Sequence, residues 1–107
     1  MAAVLVYVTT PDRDCALLLG RTVVEEHLAA CANVIDGMTA IFRWNGAIDE
    51  AGEAVMLLKT TEDRVNALTD RLRALHPYEV PCVVAIPITG GNPDFLAWIA
   101  AETSSGS

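Results

Sequence analysis

Positive charge is scarce in this chain: seven Lys and Arg stand against fourteen Asp and Glu, a formal net charge of −7 over 107 residues. Such a surface repels phosphate backbones and anionic bilayers, which argues against general nucleic-acid binding and against membrane docking. Cysteine is also scarce. Cys15, Cys31 and Cys82 are odd in number and widely spaced, with no C-x-x-C, so neither a disulfide framework nor a structural zinc site is expected. No apolar run exceeds the eight residues of 1–8, far below the ~20 that a membrane span needs. No basic stretch precedes that run, so it does not read as a signal peptide, and a cytoplasmic protein is the default expectation. No phosphate loop and no nucleophile elbow are present; Gly90-Gly91 alone is too little. No catalytic constellation stands out, and the expectation is a protein that is not an enzyme. Arg13 at a helix start lacks the glycine-rich anion nest that an acylphosphatase-like site requires.

What the chain has in quantity is aliphatic surface. Apolar residues make up 52% and charged ones 20%, a little greasier than an ordinary soluble domain. At this length one domain is expected, residues 1–103, with a polar tail over 104–107. A small monomer has difficulty hiding so much apolar surface, so self-association is expected.

Local patterns give the element order. Residues 3–9 are continuously apolar and β-branched, which suits a strand buried on both faces. Thr10-Pro11-Asp12 offers a cap, an initial proline and an acid for a helix running to about Leu28. From Cys31 to Trp44 the pattern is strand-like, interrupted by Asp36-Gly37, where a bulge is expected. Asn45-Gly46 is a strong hairpin turn, and the return strand covers 54–60, with arms of up to a dozen residues. Val65, Leu68, Leu72 and Leu75 mark the clearest helix, starting near Thr60 or Thr61 and ended by His76-Pro77. Residues 83–88 form another strand. Asn92-Pro93 then starts a short helix over 94–101. The class is α+β: a ferredoxin-like βαββαβ antiparallel sheet with an extra C-terminal helix. The crossover rule puts both main helices on one face, and the other face must be covered by the last helix or by another subunit.

Chemistry concentrates in His76-Pro77-Tyr78-Glu79-Val80-Pro81-Cys82, where imidazole, phenol, carboxylate and thiol sit on a proline-stiffened loop. His76, Glu79 and Cys82 are the candidate metal ligands, for copper or another divalent cation. Trp44 at the hairpin and Lys59 at a strand end are further candidates. His27, on a helix with no visible partner, reads as a surface histidine.

These segments, taken with Leu28-Ala29-Ala30-Cys31-Ala32-Asn33, Trp44-Asn45-Gly46, Leu58-Lys59-Thr60, Ile86-Pro87-Ile88, Gly91-Asn92 and Trp98-Ile99, resemble the CutA divalent-cation-tolerance family in order and over residues 3–100. The resemblance implies a tight homotrimer whose long hairpins pair between subunits, and a role in tolerance of copper and other divalent cations. It implies a cleft lined by Cys31, Asn33, Trp44, Lys59 and Tyr78, similar to that of PII-type trimeric signalling proteins. A small-molecule sensor or scaffold taking an anionic metabolite there is the alternative role. The copper site of a bacterial member of the family, a first-strand thiol and two consecutive histidines, falls on Val8, Leu75 and His76, of which only His76 can ligate. Cys82 stands where an acidic residue is common and offers a substitute thiol, and Ala40 stands where a serine is common.

Overall fold

A computed structural model describes residues 2–104. The expected 105–107 part of the polar tail lies outside the described residues. The elements follow one another as β1 (Ala3–Thr10), α1 (Arg13–Glu25), β2 (Cys31–Trp44), β3 (Ala47–Thr61), a 3-10 turn (Glu62–Arg64), α2 (Val65–Leu75), β4 (Val83–Pro87) and α3 (Pro93–Glu102). The four strands form one antiparallel sheet in the order β2-β3-β1-β4, the ferredoxin-like arrangement.

Alternation sorts the strands' side chains into two faces. Val4, Val6 and Val8 of β1 and Ala54, Met56 and Leu58 of β3 point the same way and are buried under Leu19 and Val23 of α1 and Leu68 and Leu72 of α2. Gly20 lets α1 come close to the sheet. A β-carbon there would lie 3.1 Å from that of Ala32 and 3.2 Å from the Met56 sulfur.

The opposite face carries Leu5, Tyr7, Leu57 and Lys59. α3 packs against β3 and β1, and its Phe95 ring reaches the Lys59 ammonium at 5.8 Å. The rest of that face stays open, with Ile35, Val84 and Ile86 about half exposed.

Several boundaries move for physical reasons. The N-cap of α1 is Asp12, whose carboxylate accepts the Cys15 N–H at 2.8 Å; Thr10 instead turns its hydroxyl to the Asp12 carbonyl. α1 stops at Glu25, short of the expected Leu28, because His27 adopts φ 60° and the Leu28 N–H bonds back to Val23. His27 also has a partner the sequence did not show: Nδ1–H donates to the Glu102 carbonyl at 2.9 Å, tying the ends of α1 and α3. The 3-10 turn delays α2 to Val65.

The hairpin is longer than expected, with arms of 14 and 15 residues. Its turn has Asn45 at φ 49° and Gly46 at φ 78°, the pair of positive angles a two-residue type I′ connection needs. The bulge falls where Asp36-Gly37 put it, between Ile35 and Met38. β1 pairs with β3 only from Thr61 to Ala54. Beyond that point β2 and β3 continue as a two-stranded ribbon. Among the described residues no helix is long and apolar enough to cross a membrane.

Leu68 is fully buried between the helices and the sheet. Leu68→Ala is expected to lower unfolding free energy by about 3 kcal/mol through lost transfer energy and a residual cavity. Chemical denaturation measures this, and a loss under ~1 kcal/mol would mean the core is placed wrongly.

Candidate functional site

The ribbon and the loop between α2 and β4 enclose a cleft of about 780 Å³. Hairpin register sets its ribbon wall. Counting outward from the Asn45-Gly46 turn, Phe42 pairs with Asp49, Ala40 with Ala51 and Met38 with Glu53. Phe42, Trp44, Asp49 and Glu53 therefore share one face and line the cleft. The opposing wall is Pro77, Tyr78, Glu79, Val80 and Cys82, with Thr9 at the floor.

His76 anchors that wall from behind. It is buried, and its Nε2 lies 2.7 Å from the Thr9 carbonyl while the Tyr78 N–H donates to its Nδ1 at 3.1 Å. A carbonyl can only accept, so the proton is on Nε2 and the Nδ1 lone pair is taken by Tyr78. Both ring nitrogens are committed to the fold. The ring also stacks on Tyr78, with centroids 4.8 Å apart.

Tyr78 spans the cleft. Its hydroxyl donates to Glu53 Oε2 at 2.7 Å, joining the loop to β3. Burial, followed by the hydrogen bond to Glu53 and that carboxylate's charge, pushes the phenol's pKa up to about 12. The Cys82 thiol is also pushed up, first by burial and then by Glu53, which keeps it protonated at neutral pH. The cleft wall thus carries the carboxylates of Asp49, Glu53 and Glu79, and no Lys or Arg is among the residues that line it.

The proposed metal ligands do not assemble. Among the described residues no three His, Cys, Asp or Glu side chains meet as a group that could hold a metal ion. Glu79 and Cys82 border the cleft, but His76 faces away into its hydrogen bonds. The protomer's own donor set does not fit a resident metal.

The expected cleft set also divides. Trp44 and Tyr78 belong to the cleft just described. Cys31, Asn33 and Lys59 lie at the opposite end of the hairpin, where Cys31 is the register partner of Lys59 and the Lys59 ammonium donates to the Asn33 side-chain oxygen. Thirteen residues separate Cys31 from Trp44, about 40 Å at roughly 3.3 Å per residue. A second, shallower groove of about 440 Å³ runs between α1 and the outer edge of β2, and includes Cys31.

The sequence reading missed Asp49, Ala51, Glu53 and Thr9 and took Phe42 only as a strand residue. The ribbon residues were findable by counting from the two-residue turn. Thr9 was not, because its part is played by a carbonyl that any residue supplies.

Residues 4–102 match the family model described as CutA1 divalent ion tolerance protein. The chain belongs to this CutA1 family. A divalent-cation tolerance protein CutA of Thermus thermophilus is 43% identical over 98 residues, covering 92% of this chain and 95% of that protein. The mouse protein CutA is 45% identical over 99 residues, covering 92% of this chain but only 56% of its own length, so this chain spans little more than half of that relative. Among solved structures, CutA1 from Oryza sativa superposes with a TM-score of 0.95 at 35% identity, covering 98% of this chain and 96% of that one. CutA1 membership and the ferredoxin-like sheet therefore agree, and the sequence resemblance is confirmed.

Two outcomes are expected at this site. His76→Ala leaves the buried Thr9 carbonyl and the Tyr78 N–H unpaired, costing about 2–4 kcal/mol of stability by thermal or denaturant unfolding. A variant as stable as the parent would mean that the ring does not anchor the loop. The raised phenol contributes stability that is complete below pH ~10, the unfolded tyrosine range, and is lost as pH rises through about 12. Glu53→Gln should move the Tyr78 phenolate transition downward in an ultraviolet absorbance titration; an unmoved transition would rule out the Glu53 contact.

Proposed function

We propose that the chain serves divalent-cation tolerance as a homotrimeric binding protein that takes up a divalent cation, copper foremost, at the cleft between the ribbon and the 76–82 loop. The ion is cargo here, not a resident cofactor, and no catalytic step is assigned. One observation carries this reading: Glu53, Glu79 and Cys82 border a cleft with no basic residue in its lining. A cation entering it meets negative charge and a soft donor, and copper heads the divalent affinity order. Because no three of these donors meet as one group among the described residues, uptake by a single subunit is weak, and water or a neighbouring subunit completes the coordination. The open apolar face with Ile35, Val84 and Ile86 supports assembly, as does a ribbon that exposes Ile41 and Ile48. The cytoplasmic setting is kept as part of this proposal.

A second reading rests on Lys59. Its ammonium is held by Asn33 and lies near the Phe95 ring, and among the described residues it has no carboxylate in ion-pair range. In a trimer that brings the Trp44 end of one hairpin to the Lys59 end of another, the divided cleft set would reunite around an anionic metabolite, as in a PII-like sensor.

Native mass spectrometry with and without one equivalent of Cu(II) tests the first reading. The expected result is a trimer with discrete adducts, one per protomer, diminished in Cys82→Ser and Glu79→Gln and retained in any folded His76 variant. A monomer, or uptake unchanged in both cleft variants, would overturn it. For the second reading, a thermal-shift panel of carboxylates and nucleotides should stabilise the parent but not Lys59→Gln.

A further inference from the structure

We infer that Lys59 of the partner subunit completes the cleft, entering it as the counter-ion of Asp49, Glu53 and Glu79. This rests on the homotrimeric reading above, and it claims the ammonium that the anionic-metabolite reading leaves to a ligand. Alternation along β3 sets out the charges. Asp49, Glu53, Leu57 and Lys59 all turn to the sheet face away from the two main helices, since Ala54, Met56 and Leu58 turn toward them. Acid and base therefore share one face. Within a chain they stand too far apart to pair: Lys59 is about 20 Å from Glu53 and about 33 Å from Asp49 at roughly 3.3 Å per strand residue.

A subunit laid over these carboxylates removes their water, which is costly unless it brings a cation with it. Arg13, Arg21, Arg64, Arg71 and Arg73 belong to the helix layer, on the far side of the sheet, and Arg71 is already paired with Glu26. Arg43 alternates with Phe42 and Trp44 and so faces away from the cleft. Among the described residues Lys59 is the one Lys or Arg left on the cleft's face of the sheet, and it has no carboxylate in ion-pair range. Its surroundings match as well. Phe95, against the Lys59 ammonium, pairs with Trp98 at 5.4 Å between ring centroids, and both rings are partly exposed. Phe42 and Trp44 are exposed at the acid end, so each aromatic pair supplies cover that the other lacks. The two patches differ, which makes the contact heterologous: each subunit gives one base and receives one, and a closed ring of three leaves none unmatched. A divalent cation entering the cleft then has to displace an ammonium, so ring contact and cation uptake compete for the same carboxylates.

Sedimentation of the intact chain over a dilution series, in EDTA, tests the contact by charge exchange. Lys59→Glu should raise the concentration at which the trimer comes apart about a hundredfold, the scale of an interfacial charge pair turned repulsive. Adding Asp49→Lys or Glu79→Lys to that variant should restore assembly to within about tenfold of the parent. Lys59→Met, which keeps the stem and loses the charge, should weaken the trimer about tenfold. A Lys59→Met trimer as tight as the parent, or rescue by neither exchange, would overturn the inference. A monomeric parent would overturn the homotrimeric reading and this inference with it. Copper titration of the parent and of Lys59→Met reads the competition: half-saturation at about tenfold lower Cu(II) is expected in the variant, and equal half-saturation would overturn it. Rescue by charge exchange without copper uptake by any chain would support the contact and overturn the metal reading alone.

Discussion

The length mismatch between β1 and the hairpin governs this molecule. Eight residues of β1 pair with a β3 strand of fifteen, so the sheet is four strands wide at one end and only two at the other. A two-stranded ribbon is marginal alone in water, because one apolar face cannot be buried by two strands. Something must rest on it. In this chain the 76–82 loop does so on one face, and the cleft is the space left between them. The other ribbon face, with Ile41 and Ile48 open, has no cover within the protomer.

Holding the loop in place falls to a histidine that the sequence offered as a ligand. His76 ends α2 because Pro77 follows it, and it is pulled to the edge of β1 by the Thr9 carbonyl. Its second nitrogen orients Tyr78, and Tyr78 reaches Glu53 across the cleft. A chain of three hydrogen bonds thus runs from the end of β1 through the loop to the start of the ribbon. An imidazole is suited to this task because one ring both donates and accepts, in fixed directions. That use competes with metal binding, since ligation needs the lone pair that Tyr78 already occupies.

Charge and apolar surface act together on the same region. The carboxylates of Asp49, Glu53 and Glu79 border the cleft, while burial and Glu53 keep the neighbouring phenol and thiol protonated. At the far end of the hairpin, Lys59 sets a positive charge among Asn33, Cys31 and Phe95. The two ends are opposite in sign and about 40 Å apart at roughly 3.3 Å per strand residue. Assembly of several copies is the arrangement in which such ends can meet.

Local physics was legible from the sequence alone. The Asn45-Gly46 turn, the Asp36-Gly37 bulge, the Asn92-Pro93 helix start and the His76-Pro77 stop all sit where residue chemistry put them, because each depends on backbone angles or caps within a few positions. Element order and the two-faced sheet followed from alternation and the crossover rule, and the family from motifs spread over the chain. The N-cap shifted to Asp12 and α1 ended early at His27, since caps compete within a turn and only the packed structure selects the winner. Side-chain roles at long range were not legible. That His76 meets Thr9, that Tyr78 meets Glu53, and that Lys59 and Trp44 lie apart are results of register and strand length. The sequence by itself determined which elements form and which residues carry chemistry. Only the tertiary structure decided which of those residues share a site, because a histidine's free lone pair depends on neighbours 67 residues away.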